Sequence, residues 1–292
     1  MTRTTRDKNL SMSDPSVLTF RGKSPGKTLA IFAGIHGNET GGILALRQLI
    51  DDLHSERLVL DNGTLHLVFA NLAAIARDVR FTELNMNRAF HFHSADVPEE
   101  GRLSYERMRA IDLQPILVQS DALLDLHSTL TETSPFIICE EHSFEIAKLL
   151  PFPIVSTGWD AVHAGSTDAF MNQQGKIGVC VECGQHGDPE AEQRARTSIE
   201  VFLWELGLMD TGPKVEPVAQ RRIHARSIYK AHTHMRFTPP DRDQFCVIQK
   251  GEVIGFDGDE EVRADQESIL LFPKEGTTKG GEAFVLGEIR PL

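Results

Sequence analysis

Ala30-Ile31-Phe32-Ala33-Gly34-Ile35-His36-Gly37-Asn38-Glu39-Thr40-Gly41-Gly42 reads as a buried strand, a glycine-broken turn and the start of a helix. Within the turn, His36 and Glu39 sit three residues apart. An imidazole and a carboxylate at that spacing can converge on one metal ion. A polar turn on a surface would show the same two residues, so the rest of the chain has to decide.

Working outward, Thr28 to Ala33 is a short apolar run, as expected of a strand buried on both faces. From Thr40 a helical period begins, with Ile43, Leu46, Ile50 and Leu53 on one face. Asp61-Asn62-Gly63 is a turn signal leading into the strand Leu65 to Phe69. Asn71 to Phe90 has no clean period and many polar groups, the kind of segment after a strand that often carries function. Residues 104–119 read as a helix, weakened by Pro115. Strands are expected at Asp121 to Leu126, Phe136 to Cys139 and Lys176 to Cys183, with a short helix at Phe144 to Leu150. A helix follows with Asp188 as its N-cap, Pro189 at the first helical position and Gly207 at its end.

Strands alternating with helices imply parallel strands and helical crossovers, hence an α/β sheet. The alternation stops near Thr211-Gly212-Pro213. Short runs such as Phe245 to Ile248, Ser268 to Phe272 and Ala283 to Ile289 are then separated by glycine turns, with no strong helix. The expected organisation is a mobile segment at 1–15, an α/β domain at 16–212 and a small β-rich domain at 213–292.

The chain has 292 residues and a formal net charge of -12. With no basic block, it has no electrostatic footprint for nucleic acid or an anionic membrane. No secretory signal and no membrane-spanning run is legible. Cys139, Cys180, Cys183 and Cys246 do not look like a disulfide framework, so a cytoplasmic location is expected. In Cys180-Val181-Glu182-Cys183, strand alternation points the two thiols to opposite faces, which argues against a redox or metal pair. His232-Thr233-His234 and His91-Phe92-His93 read as loop or strand histidines.

His36, Glu39 and His127 all stand at strand ends. Parallel strands put their carboxyl ends on one edge, where binding residues gather. Two histidines and a glutamate are the ligand set of several hydrolytic zinc sites, the fourth position being left to water. Asp125 is the right kind of group to orient the His127 imidazole. Such a site needs a base, and Glu182 ends an otherwise apolar strand, where a carboxylate must face a cleft or be costly to bury.

Gly34-Ile35-His36-Gly37-Asn38-Glu39, Leu84-Asn85-Met86-Asn87-Arg88-Ala89-Phe90, Asp125-Leu126-His127 and Val181-Glu182-Cys183-Gly184 occur in an order and spacing that resembles the succinylglutamate desuccinylase/aspartoacylase family. This is the deacylase branch of the zinc carboxypeptidase-like fold. The resemblance covers about 30 to 207 well and the C-terminal region in outline. It implies a mixed, largely parallel sheet flanked by helices, and one zinc ion held by His36, Glu39 and His127. Glu182 matches the general base, Arg80 the arginine that polarises the scissile carbonyl, and Asn87 with Arg88 the pair that holds a substrate carboxylate. The implied activity is hydrolysis of the amide of a small N-acyl amino acid.

Two departures bear on the substrate. Aspartoacylases carry a second substrate-binding arginine before the strand of the base, whereas no arginine occurs here between Arg109 and Arg194, and Asp168 is the nearest polar candidate. They also use a C-terminal tyrosine, where this chain has Glu282-Ala283-Phe284. An acyl-aspartate is thus disfavoured, and Asp168 is expected to face a neutral or cationic part of the substrate. A carboxypeptidase or an esterase on the same scaffold, and a non-catalytic metal-binding relative, are the alternatives. A C-terminal domain covering the cleft would disfavour the carboxypeptidase. A homo-oligomer stays open.

Overall fold

The computed structural model describes residues 16–93, 99–130 and 132–292, so the segment expected to be mobile lies outside the described residues. In chain order the first part contains β1 (Val17–Arg21), β2 (Ser24–Ala33), α1 (Thr40–His54), β3 (Asn62–Phe69) and α2 (Leu72–Arg77). Then come α3 (Tyr105–Gln119), β4 (Ala122–Thr129), β5 (Phe136–Cys139), α4 (Phe144–Ala147), β6 (Ile154–Thr157), α5 (Thr167–Asn172), β7 (Ile177–Gln185) and α6 (Ala191–Glu205). The rest is strand: β8 (Arg221–Lys230), β9 (Met235–Phe237), β10 (Val247–Ile248), β11 (Val253–Asp257), β12 (Glu260–Arg263), β13 (Ser268–Leu271) and β14 (Glu282–Arg290).

The strands form an 11-stranded sheet in the order β1-β3-β2-β4-β7-β5-β6-β8-β14-β13-β10, and a 3-stranded sheet β12-β11-β9. β3, β2, β4 and β7 are mutually parallel. β5 runs antiparallel to β7, and β6 is parallel to β5. The sheet is therefore mixed but largely parallel at its centre, as the motifs imply. Alternation along β2 explains its double burial. Leu29, Ile31 and Ala33 enter one apolar cluster with Ile43 and Leu46 of α1 and Ile199 and Phe202 of α6. Ala30 and Phe32 enter the opposite cluster with Leu113 and Leu117 of α3 and Phe170 of α5.

The same parity sorts the polar residues. On β4, Leu124 and Leu126 join the α1/α6 side, and on β7 so do Val179, Val181 and Cys183. Asp125, His127, Cys180 and Glu182 take the other parity. His127 and Glu182 are register partners on adjacent strands. The two thiols of the CxxC-like run thus lie on opposite faces, and all four cysteines are free.

Several elements differ from the sequence reading. α2, β6, α5 and β8 lack a period long enough to stand out. α3 runs on through Pro115, giving up one backbone donor. α6 begins at Ala191, and Asp188 instead accepts from the Glu190 amide and from Arg194 just before it. Residues 213–292 contain no helix among the described residues. β8 pairs in parallel with β6, so β8, β14, β13 and β10 prolong the first sheet. A cluster of Phe136, Trp159, Ile223, Phe245, Leu271 and Val285 spans that junction. No described helix is long and apolar enough to cross a membrane.

Candidate active site

The turn after β2 is built around two glycines. Gly34 has φ +72°, a conformation that side chains resist. A Cβ on Gly37 would lie 2.1 Å from the backbone carbon of Ala74, so the turn can pass α2 only without a side chain there. This close passage aims His36 and Glu39 at the end of β4. Both are buried, as is His127.

His36 Nδ1 lies 2.7 Å from Glu39 Oε1, and His127 Nδ1 lies 2.9 Å from Glu39 Oε2. The candidate ligand atoms of the three residues all lie within 4.8 Å of one another, and the three form the one such group found among the described residues. The outer ring nitrogens are also held. His36 Nε2 is 2.9 Å from Asn85 Oδ1, and His127 Nε2 is 3.0 Å from Asp125 Oδ2, though the latter pair is not aligned as a hydrogen bond. Thr167 at the start of α5 donates to the same Asp125 oxygen. An acceptor at Nε2 favours the tautomer that leaves Nδ1 as a lone pair, as a metal ligand requires. The donor set, its burial and its outer partners fit zinc. Asn85 lies within the quoted motif, but only the contact with His36 reveals its task.

The two imidazoles respond differently to Glu39. Burial lowers the pKa of His36 despite the carboxylate. Burial also opposes protonation of His127, but Asp125 and Glu39 outweigh it and push that ring well above its ordinary value. The contrast follows from the outer partner, an amide for one ring and a second carboxylate for the other. Burial opposes ionisation of Glu39 too, yet His36 and His127 hold it well below the usual carboxylate range. The Ser128 amide and Arg80 Nη1 also donate to Glu39, at 3.1 and 3.2 Å.

Glu182 Oε2 is buried and has no hydrogen-bond partner among the described residues. Burial pushes its carboxyl up to about 7, against the pull of His127. A carboxyl poised there can accept and return a proton near neutral pH.

Arg88 and Asn87 lie in a single 3₁₀ turn, Met86–Arg88. Arg88 Nη1 donates to the Asn87 carbonyl at 2.8 Å, and Nη2 donates to His163 Nδ1 at 2.7 Å. Burial and the Arg88 charge push His163 down to about 3, so it is a neutral acceptor. Its ring stacks on Trp159 with centroids 5.6 Å apart. Glu282, at the start of β14, stands 3.5 Å from both Arg88 Nη2 and His163 Nδ1. Asn87 Oδ1 is buried without a partner among the described residues. Asp168 is also buried, and its carboxyl is bonded by Ser166 and the Ala169 amide at the start of α5. A substrate amine would have to compete with those bonds.

The loop bearing Asn85 to Arg88 is tied down by Glu106 of α3. Glu106 accepts from the amides of Thr82, Glu83 and Leu84, at 2.6, 3.2 and 3.1 Å, from the Thr82 hydroxyl and from Asn71. Nearby, buried Arg107 donates to the carbonyls of Ala89 and His91. Glu106 and His163 carry no signal in a linear reading. Each is a single polar residue whose partners are brought to it by the fold.

A model of the succinylglutamate desuccinylase/aspartoacylase catalytic domain matches residues 25–202. A succinylglutamate desuccinylase from Idiomarina loihiensis is 25% identical over 314 residues, covering 94% of this chain and 87% of that protein. The crystal structure of succinylglutamate desuccinylase from Vibrio cholerae superposes with a TM-score of 0.77 at 22% identity, over 94% of this chain and 85% of that one. A product-bound ectoine utilization protein from Ruegeria pomeroyi gives 0.70 at 19% identity, over 93% and 88%. Both structures share the fold.

Proposed function

Because the chain belongs to the succinylglutamate desuccinylase/aspartoacylase family, we propose that it is a zinc-dependent hydrolase cleaving the amide bond of a small N-acyl amino acid. The observation that carries this reading is the convergence of His36, Glu39 and His127 beside the unpartnered oxygen of Glu182. The relative from Idiomarina loihiensis is named for removal of a succinyl group from an amino acid, which supports an amide substrate.

Zinc held by His36, Glu39 and His127 would lower the pKa of a water and polarise the scissile carbonyl. Glu182 Oε2 is placed to take a proton from the attacking water and to return it to the leaving amine nitrogen. Burial raises the Glu182 carboxyl, and the charge of a bound zinc would pull it back down, which keeps the base ionised to accept the proton. Arg80, half-exposed at the edge of the site, donates to the carbonyl oxygen as it gains charge. Arg88 and Asn87 hold the substrate carboxylate, the planar guanidinium giving directional donors. Burial raises the Asp168 carboxyl, which stays bonded to Ser166 and the Ala169 amide at the start of α5. The region 213–292 walls the cleft through Glu282, which leaves less room for a peptide and favours a small substrate over a carboxypeptidase's.

The test is metal content together with turnover of a panel of N-acyl amino acids. Chelation should abolish hydrolysis and zinc should restore it. Glu182→Ala should lower kcat by about 100- to 10,000-fold with little change in metal content. A protein that takes up no metal, or a Glu182→Ala variant with full turnover, would refute the assignment.

A further inference from the structure

The pocket beyond the metal ligands is rich in positive charge. Arg80 and Arg88 come from the loop after α2. Lys274, whose amide donates to the Ala283 carbonyl at 2.9 Å, is close enough to Glu282, Arg80 and Arg88 to feel their charges, and Lys230, the exposed register partner of Glu282 across β8 and β14, acts with it on His163. Such a set would by itself welcome a substrate with two carboxylates. Glu282 changes that balance. It projects from the first residue of β14 to within 3.5 Å of Arg88, and it is partly exposed, unlike Asp168. It is therefore the carboxylate in this part of the site that a substrate can meet without displacing bonds to α5.

We propose that Glu282 is a specificity determinant: it offsets Arg88 and its neighbouring lysines, so that the pocket accepts one substrate carboxylate and disfavours a second. The substrate class is then an N-acyl amino acid whose side chain is neutral or cationic. This rests on the deacylase reading and narrows it. The physical basis is charge balance. Arg88 already spends one nitrogen on the Asn87 carbonyl and another on His163. A first carboxylate can still share its charge. A second carboxylate would meet Glu282, whose negative charge offsets the attraction of Arg80, Lys274 and Lys230 in a partly desolvated pocket. His163 contributes no compensating charge, because it is neutral.

The experiment uses the isosteric pair N-acetyl-aspartate and N-acetyl-asparagine, which differ by one charge, with wild type and Glu282→Gln. The aspartate-to-asparagine ratio of kcat/KM should rise by about tenfold or more in the variant. In parallel, calorimetry measures the Kd ratio of free aspartate to free asparagine on both proteins, a readout that needs no turnover. That ratio should move in the same direction. Turnover with both ratios unchanged overturns the role of Glu282 and leaves the deacylase reading intact. If wild type hydrolyses neither compound, the calorimetric ratio decides: a shift upholds Glu282 as the charge selector without deacylation, and no shift or no binding overturns it.

Discussion

Glu182 stands where a charged group is costly, and this has a consequence for stability as well as for chemistry. Its carboxyl is raised from 4.5 to about 7 by burial in the metal-free protein. Between those values the folded chain keeps a proton that the unfolded chain gives up. Stability must therefore fall as pH rises from about 4.5 to 7 and stay reduced above that. Glu182→Gln removes the cost while keeping the shape. The metal-free variant should melt about 3 °C above metal-free wild type at pH 8, with the gap closing near pH 4.5. Differential scanning calorimetry at the two pH values measures this, and an equal gap at both would contradict it. His36, Glu39, His127 and Glu182 were legible in the sequence because each sits at a strand end with a motif around it. Asn85 and Glu282 were not. Their roles depend on partners 49 residues away in one case and on β14 meeting Arg88 in the other.

Among the elements, α3 is the mount for the loop bearing Asn85 to Arg88. Its face toward the sheet is apolar, with Leu113 and Leu117 in the core. Its first turn is polar and buried, because Glu106, Arg107 and Arg109 bond the backbone of residues that have no regular structure of their own. An irregular segment needs such partners, since its amides and carbonyls cannot pair along a ladder. Glu106→Ala leaves the amides of Thr82, Glu83 and Leu84 without an acceptor. It should destabilise the chain by on the order of 2–3 kcal/mol. It should also raise KM for an N-acyl amino acid by about tenfold, with a smaller effect on kcat, because Asn87 and Arg88 lose their support. Chemical denaturation and steady-state kinetics check the two effects, and an unchanged KM would refute the mounting role. The sequence reading of 104–119 as a helix was correct in extent, with Ser104 accepting from the Arg107 amide as N-cap. The work of its first turn was hidden, because α3's own periodicity does not show what its polar face touches.

At the scale of the molecule, the junction between β6 and β8 decides whether the two parts can be separated. β6 pairs with β8 along Ile154 to Thr157, and apolar residues from both sides meet there. Truncation after residue 212 would expose the β6 edge and leave Phe136 and Trp159 without Ile223, Phe245, Leu271 and Val285. The truncated chain should be insoluble or lack a cooperative thermal transition. A soluble truncated monomer with a sharp melt would show the contrary.

The α/β class, the parallel centre of the sheet and the choice of His36, Glu39 and His127 as candidate ligands followed from the sequence alone. Strand burial, helix period and glycine turns are local properties, and a strand's carboxyl end is visible in one dimension. The tertiary structure alone decided which side chains face one another. It joined the C-terminal strands to the first sheet, brought Asn85 to His36, placed Glu106 under the loop bearing Asn85 to Arg88 and set Glu282 beside Arg88. These contacts join residues distant in sequence, and a single polar residue without a motif announces no partner until the backbone closes around it.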